Sequence, residues 1–224
     1  MLPVPFALLI FAAVAAFSVP AGAAERDANG VFLVAKREMR DPNFREVVVL
    51  VTQPRQGGPW GVIINRPLRH PLHEVFPEYD ALKKRKDVLF FGGPVSRQGL
   101  VVLVHSPELP PGATAVLRDV FFTSDVDLID RLLQRPDPTR GLRVYSGYSG
   151  WRPGQLQSEI ARGDWHVLPA DAETVFDKDP ARVWPELIER ASTKHTNTRE
   201  IVRAGDRERD NRAPALTRSR PPVF

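Results

Sequence analysis

A chain of 224 residues with 42 % hydrophobic and 26 % charged side chains has the make-up of one globular domain with a sizeable core. It contains no cysteine, which excludes disulfides, thiolate catalysis and cysteine-ligated metals. The formal charge is +4, yet basic and acidic residues balance at 23 each from Glu25 to Ser192, and the excess comes from 8 basic against 4 acidic residues beyond Ser192. A domain with no net field lacks the electrostatic footprint of direct nucleic-acid binding.

Leu2 to Val19 is almost wholly apolar, and the small residues Ala21-Gly22-Ala23 precede the first charged side chain, Glu25. This pattern predicts a secretory signal peptide over residues 1–23, cleaved after Ala23, and a periplasmic or secreted protein with no stable membrane insertion afterwards. A basic n-region is missing, which leaves two alternatives. One is an uncleaved anchor, although the run is short for a bilayer span and carries Pro3 and Pro5. The other is a misassigned start codon, which would make the protein cytoplasmic.

A single domain is expected over residues 24–192. Val31 to Ala35 reads as a strand, Met39 to Phe44 as a turn, and Val47 to Thr52 as a strand buried on both faces. Trp60 to Asn65 reads as a strand that forms a hairpin with the preceding one and is closed by Arg66-Pro67. Leu72, Val75 and Phe76 suggest one helical turn stopped by Pro77, and the basic run Lys83 to Lys86 reads as a solvated loop. Strands are expected at Val88 to Phe91, Leu100 to Val104 and Val116 to Phe122. Ser124 or Asp125 can cap a helix with Val126, Ile129, Leu132 and Leu133 inward.

Leu142 to Tyr145 reads as a strand leading into a glycine-rich turn, Gly147 to Trp151. Pro153 suits the first turn of a helix whose apolar side is Leu156 and Ile160 and whose stop is Gly163. A short strand over Asp164 to Leu168, a turn capped by Asp171, and an amphipathic helix over Ala181 to Arg190 follow. That helix has Val183, Trp184, Leu187 and Ile188 inward. Residues 193–224 lack both hydrophobic periods and carry dense mixed charge, so a disordered tail is expected. Strands early, helices late and no βαβ rhythm predict an α+β fold with a mixed sheet.

Four segments in order carry a family resemblance: Met39 to Phe44, Gly58 to Leu68, Phe90 to Val95 with the strand to His105-Ser106, and Gly147 to Ile160 with Trp165 to Phe176. Together they resemble the AlgH/YqgE family over Val31 to Ala191. The resemblance implies a largely antiparallel, bifurcated sheet curled into a pseudo-barrel with a few flanking helices. For some members it also implies a part in transcriptional regulation. Gln157, where relatives commonly have an acid, the export-like N-terminus and the added tail depart from the family pattern. An exported protein cannot reach chromosomal DNA.

No complete catalytic or metal constellation is legible, and no cofactor is expected. Gly92-Gly93-Pro94 lacks the lysine of a phosphate loop. His70 and His73 supply two ligands where zinc needs three or four. Asp125 with Asp127, and Glu159 with Asp164, read as caps and solvated acids. Asn65-Arg66 ends a buried strand, where Arg66 could grip an anion or pair with Glu159. Tyr148 and Trp151 form a contact surface or pack as core.

The candidate ligand site is therefore Asn65, Arg66, Gly92, Gly93, Tyr148 and Trp151, serving a protein or small-molecule partner. A binding or interaction domain, regulatory by resemblance, is the expected function. The alternative is a periplasmic hydrolase with a pocket near Asn65, Arg66 and His105, with Glu159 as a further member.

Overall fold

A computed structural model describes residues 28–54 and 57–193. The expected signal segment lies outside the described residues, and so does the expected tail apart from Thr193. The chain forms β1 (Val31–Ala35), β2 (Val48–Thr52), β3 (Trp60–Ile63), β4 (Pro67–Pro71), α1 (Leu72–Val75) and a 3-10 turn (Asp80–Lys84). These are followed by β5 (Val88–Phe91), β6 (Val95–His105), β7 (Thr114–Ala115), β8 (Val120–Thr123), α2 (Val126–Leu133) and β9 (Leu142–Gly150). Then come α3 (Gln155–Arg162), β10 (Trp165–Pro169) and α4 (Ala172–Phe176). A last helix, α5, starts at residue 180 and belongs to this unit up to Ile188, while residues 189–193, assigned to a second unit, are also helical.

The result is a curled, largely antiparallel half-barrel sheet with flanking helices, an α+β fold of the expected kind. The strand order is β10-β1-β2-β3-β9-β6-β8-β7, with β5 joining β9 and β4 on a side branch. The β5–β9 pairing is parallel, and every other pairing is antiparallel.

The branching happens along β9. Its Tyr145 and Ser146 pair with Phe90 and Phe91 of β5, whereas Ser149 and Gly150 pair with Gly61 and Trp60 of β3. The end of β5 is wedged between the two, since Gly92 N donates to Ser146 O and Gly92 O accepts from Ile63 N. Only glycine tolerates this crowding. A Cβ on Gly92 would lie 2.2 Å from Gly147 O, and one on Gly147, at φ +69°, would lie 2.6 Å from Gly93 O.

Alternation along the strands divides the apolar residues between two faces. Leu33, Ala35, Val49, Val51 and Ile63 pack with Trp151, Leu156 and Trp165 beneath α3. The intervening Phe32, Val34, Val48, Leu50, Val62 and Ile64 are fully buried on the other face. A further cluster gathers Val102, Val104, Leu142 and Val144 with Leu128, Leu132 and Leu133 of α2 and Leu72, Phe76 and Leu82 of the α1 lobe.

Four local expectations need correction, and one strand, β4, was not expected. Pro67–Pro71 is a strand, although its prolines argue against one; as a side branch it pairs only with β5 and loses few donors. The stretch from Gly147 to Gly150 continues β9, because β3 and β6 supply partners that a glycine-rich sequence does not reveal. Of the strand expected over Val116 to Phe122 only Val120 to Phe122 is strand, in β8; Val116 to Asp119 turns back from β7, with Val116 N and Leu117 N donating to Val120 O. On α2, Leu132 and Leu133 are buried as expected, but Leu128 takes the inward place expected of Val126, which is 45 % exposed just after the Asp125 cap. The basic run is partly a 3-10 turn, and its Arg85 is held by Asp87 and Asp137 at 2.8 and 2.7 Å.

Candidate functional site

The backbones of the three candidate segments meet at the sheet branch. Phe91 N donates to Arg66 O, Gly92 N to Ser146 O, and the buried Ser149 hydroxyl to Gly92 O at 3.1 Å. The side chains then diverge. Asn65 Oδ1 accepts from Val48 N at 2.8 Å and its amide donates to Glu46 O at 3.0 Å, so it clamps a backbone that turns through positive φ at Glu46. Arg66 donates to Asn43 O at 2.8 Å and to Arg45 O at 3.1 Å. Its guanidinium stands 5.7 Å from the centre of the Phe91 ring, and burial lowers its pKa.

The Tyr148 ring turns away to Trp60, edge-on at 6.1 Å, and Trp60 packs on Phe122 at 4.5 Å. Trp151 is 6 % exposed and belongs to the core beneath α3. It stacks with Phe44 at 6.2 Å and meets Trp165 edge-on at the same distance.

The expected pairing of Arg66 with Glu159 is not made. Glu159 Oε2 instead accepts from both indoles, Trp151 Nε1 at 2.8 Å and Trp165 Nε1 at 2.9 Å, and its Oε1 accepts from Gln155 at 3.0 Å. Once two tryptophans bury their rings, their N–H groups need an acceptor, and a carboxylate one helical face away supplies it. The place of Glu159 on α3, three residues after Leu156 and next to Ile160, was the available signal.

Two residues that the sequence did not single out complete the surface beside Arg66. Phe91 is half-buried, and Arg97 stands 5.6 Å from the same ring centre. Arg97 sits in the exposed bulge where β6 loses register between Val95 and Leu100. The Ser146 hydroxyl fastens that bulge by donating to Arg97 O at 2.5 Å. Neither Arg66 nor Arg97 has a carboxylate within salt-bridge distance among the described residues.

The other candidates lie apart. His105 Nε2 is 3.1 Å from Asp119 Oδ2, and its ring stacks on Phe176 at 5.5 Å. No hydrogen bond joins any two of Asn65, Arg66, His105 and Glu159. His70 is exposed on β4, His73 lies on α1, and no group of three metal-ligating side chains converges among the described residues. Asp125 caps α2 by accepting from Leu128 N at 2.7 Å.

The segments that interlock here are those that carry the resemblance, and the sequence pattern of the AlgH-like family matches residues 32–196. The chain belongs to the AlgH-like family. Among its relatives, the UPF0301 protein of Mycobacterium ulcerans is 34 % identical over 178 residues, covering 76 % of this chain and 86 % of the relative. The UPF0301 protein of Mycobacterium tuberculosis is also 34 % identical, covering 76 % and 85 %.

Two solved structures share the fold of this AlgH-like chain. Protein DIP2367 from Corynebacterium diphtheriae superposes with a TM-score of 0.59 at 26 % identity, covering 73 % of this chain and 86 % of that one. The AlgH protein from Pseudomonas aeruginosa gives 0.56 at 27 % identity, covering 68 % and 82 %. Within this AlgH-like domain, the motifs serve a common framework. The Asn43–Arg45 turn hangs on Arg66, the Asn65 side chain holds the start of β2, and the paired glycines let β5 and β9 touch.

Proposed function

We propose that the domain works by binding and not by catalysis, taking a protein or small-molecule partner at the surface around Arg66, Phe91 and Arg97. The supporting observation is the pair of guanidinium groups gathered on one half-buried ring with no carboxylate partner among the described residues. Like charges so placed repel, and an acidic group from a partner relieves them. Asn65, Gly92 and Gly93 shape the backbone beneath this surface, while Tyr148 and Trp151 support it from neighbouring ring clusters. The apolar N-terminal segment supports export, with binding in the periplasm or outside the cell, and any regulatory role there acts through a partner other than chromosomal DNA.

The test is recovery of partners from the native envelope by wild-type protein and by the Arg97→Ala variant, with mass spectrometry of proteins and small molecules. Arg97 is exposed, so its truncation should change stability by less than about 0.5 kcal/mol while the partner is lost. Equal recovery by both proteins would end this reading.

One observation favours a second reading, a hydrolase. The His105–Asp119 pair is the arrangement that orients a general base. Turnover of activated esters or phosphoesters that disappears in His105→Gln would establish it.

A further inference from the structure

A broad, open cleft of about 970 Å³ is lined by none of Arg66, Phe91 and Arg97. Phe90 and Val88 of β5, the segment from Arg135 to Arg143, and Phe176 at the end of α4 line it. Its charges are unevenly satisfied. Arg85 bridges Asp87 and Asp137, so one negative charge of that trio stays unbalanced; Asp87 also accepts from Thr139 at 2.9 Å, and Asp177 lines the cleft as a third carboxylate. Four lining cations, Lys86, Arg135, Arg140 and Arg143, have no carboxylate partner among the described residues.

Arg143 is half-buried and donates to Ile64 O and Phe176 O at 3.3 Å each, with its guanidinium 4.7 Å from the centre of the Phe90 ring. Those bonds are long, and they leave donors on a planar group held over an aromatic ring. Beside it, Phe176 and His105 stack nearly parallel, at 14°. Lys86 and Arg140 are exposed at the rim.

We infer that this cleft is a binding site for a small organic anion, a carboxylate or phosphate monoester carried on a flat apolar body. Arg143 and the rim cations take the anionic end, with Arg140 and Lys86 free to move onto it. The apolar body lies against the partly exposed Phe176–His105 ring pair. The inference does not rest on the Arg97 surface, whose residues do not line the cleft.

Backbone NMR of the isotope-labelled full chain, titrated with phenyl phosphate, benzoate, inorganic phosphate and benzyl alcohol, tests it. Saturable, salt-sensitive shifts should cluster at Phe90, His105, Gly141 to Arg143 and Phe176 with the two aromatic anions. Comparison of phenyl phosphate with benzoate tells which anion the site prefers. Inorganic phosphate and benzyl alcohol should each bind about tenfold more weakly, as half-ligands do. The double variant Lys86→Ala with Arg140→Ala should weaken the aromatic anions by about tenfold with an unchanged melting temperature. Four results would overturn the site: no saturation, shifts centred on Phe91 and Arg97, benzyl alcohol binding as well as phenyl phosphate, or undiminished binding by the double variant. Should the double variant fail to fold, the wild-type shift map and the ligand order still decide.

Discussion

Single side chains in this protein are spent largely on holding backbone and rings. Glu159 is the clearest case, a carboxylate that accepts two indole N–H bonds in the partly buried layer under α3. Glu159→Ala leaves both donors without an acceptor and should cost about 3 kcal/mol, read from chemical denaturation. A loss below about 1 kcal/mol would mean that water replaces the carboxylate. The three tyrosines also differ by environment.

Tyr79 is pushed up to about 12 by loss of solvent, then by its 2.6 Å bond to Asp130 and the charges of Asp130 and Glu78. Burial raises Tyr145 as well, against the opposing pull of the neighbouring Arg143 guanidinium. A phenol whose pKa is raised by folding stabilises the native state fully below its unfolded value of 10.0, and that contribution disappears as pH climbs towards about 12. Melting temperatures between pH 10 and 12 should therefore fall, and Tyr79→Phe should fall less steeply. Identical slopes for the two proteins would contradict the assignment.

At the scale of elements, β9 decides the architecture because it changes partner in mid-strand. The change needs backbone-to-backbone approach at Gly92 and Gly147, and the positive φ of Gly147 adds a second penalty for any side chain there. Gly147→Ala should lose about 2–4 kcal/mol through overpacking and strain, with the damage shared by both limbs of the sheet. Hydrogen exchange should show β3 and β5 losing protection together. Loss confined to one limb would show that the branch is not a single cooperative joint.

For the molecule as a whole, the charge balance and the proposed export set the expectations. The balance of 23 basic and 23 acidic residues between Glu25 and Ser192 removes the long-range field that would draw the domain to nucleic acid or anionic lipid. Any attraction to anions is therefore local, as at Arg97 and Arg140. Export predicts a mature N-terminus at Ala24, checked by N-terminal sequencing of the envelope fraction. An intact chain resisting carbonate extraction would show an anchor instead. Removal of residues 194–224 should shift stability by less than about 0.5 kcal/mol, and a melting temperature many degrees lower would show that the tail docks.

Sequence by itself determined the elements whose signals are local. Apolar runs marked β1, β2, β3 and β5, Ser124 or Asp125 marked a helix start, Asp171 marked a capped turn that is the short α4, Gly163 marked a stop, and four ordered motifs marked the family. It also brought the backbones of Asn65-Arg66, Gly92-Gly93 and Gly147 to Trp151 under suspicion together, and they do meet. Tertiary structure alone decided the rest. Whether Gly147 to Gly150 is turn or strand depends on partners more than 80 residues away in β3. Glu159 turned to two tryptophans and not to Arg66, since the indoles need an acceptor that no spacing rule announces. Phe91 with Arg97, and the cleft around Arg143, are assemblies of side chains distant in sequence. Periodicity reports how each segment meets its own solvent boundary, whereas such assemblies depend on how separate segments pack together.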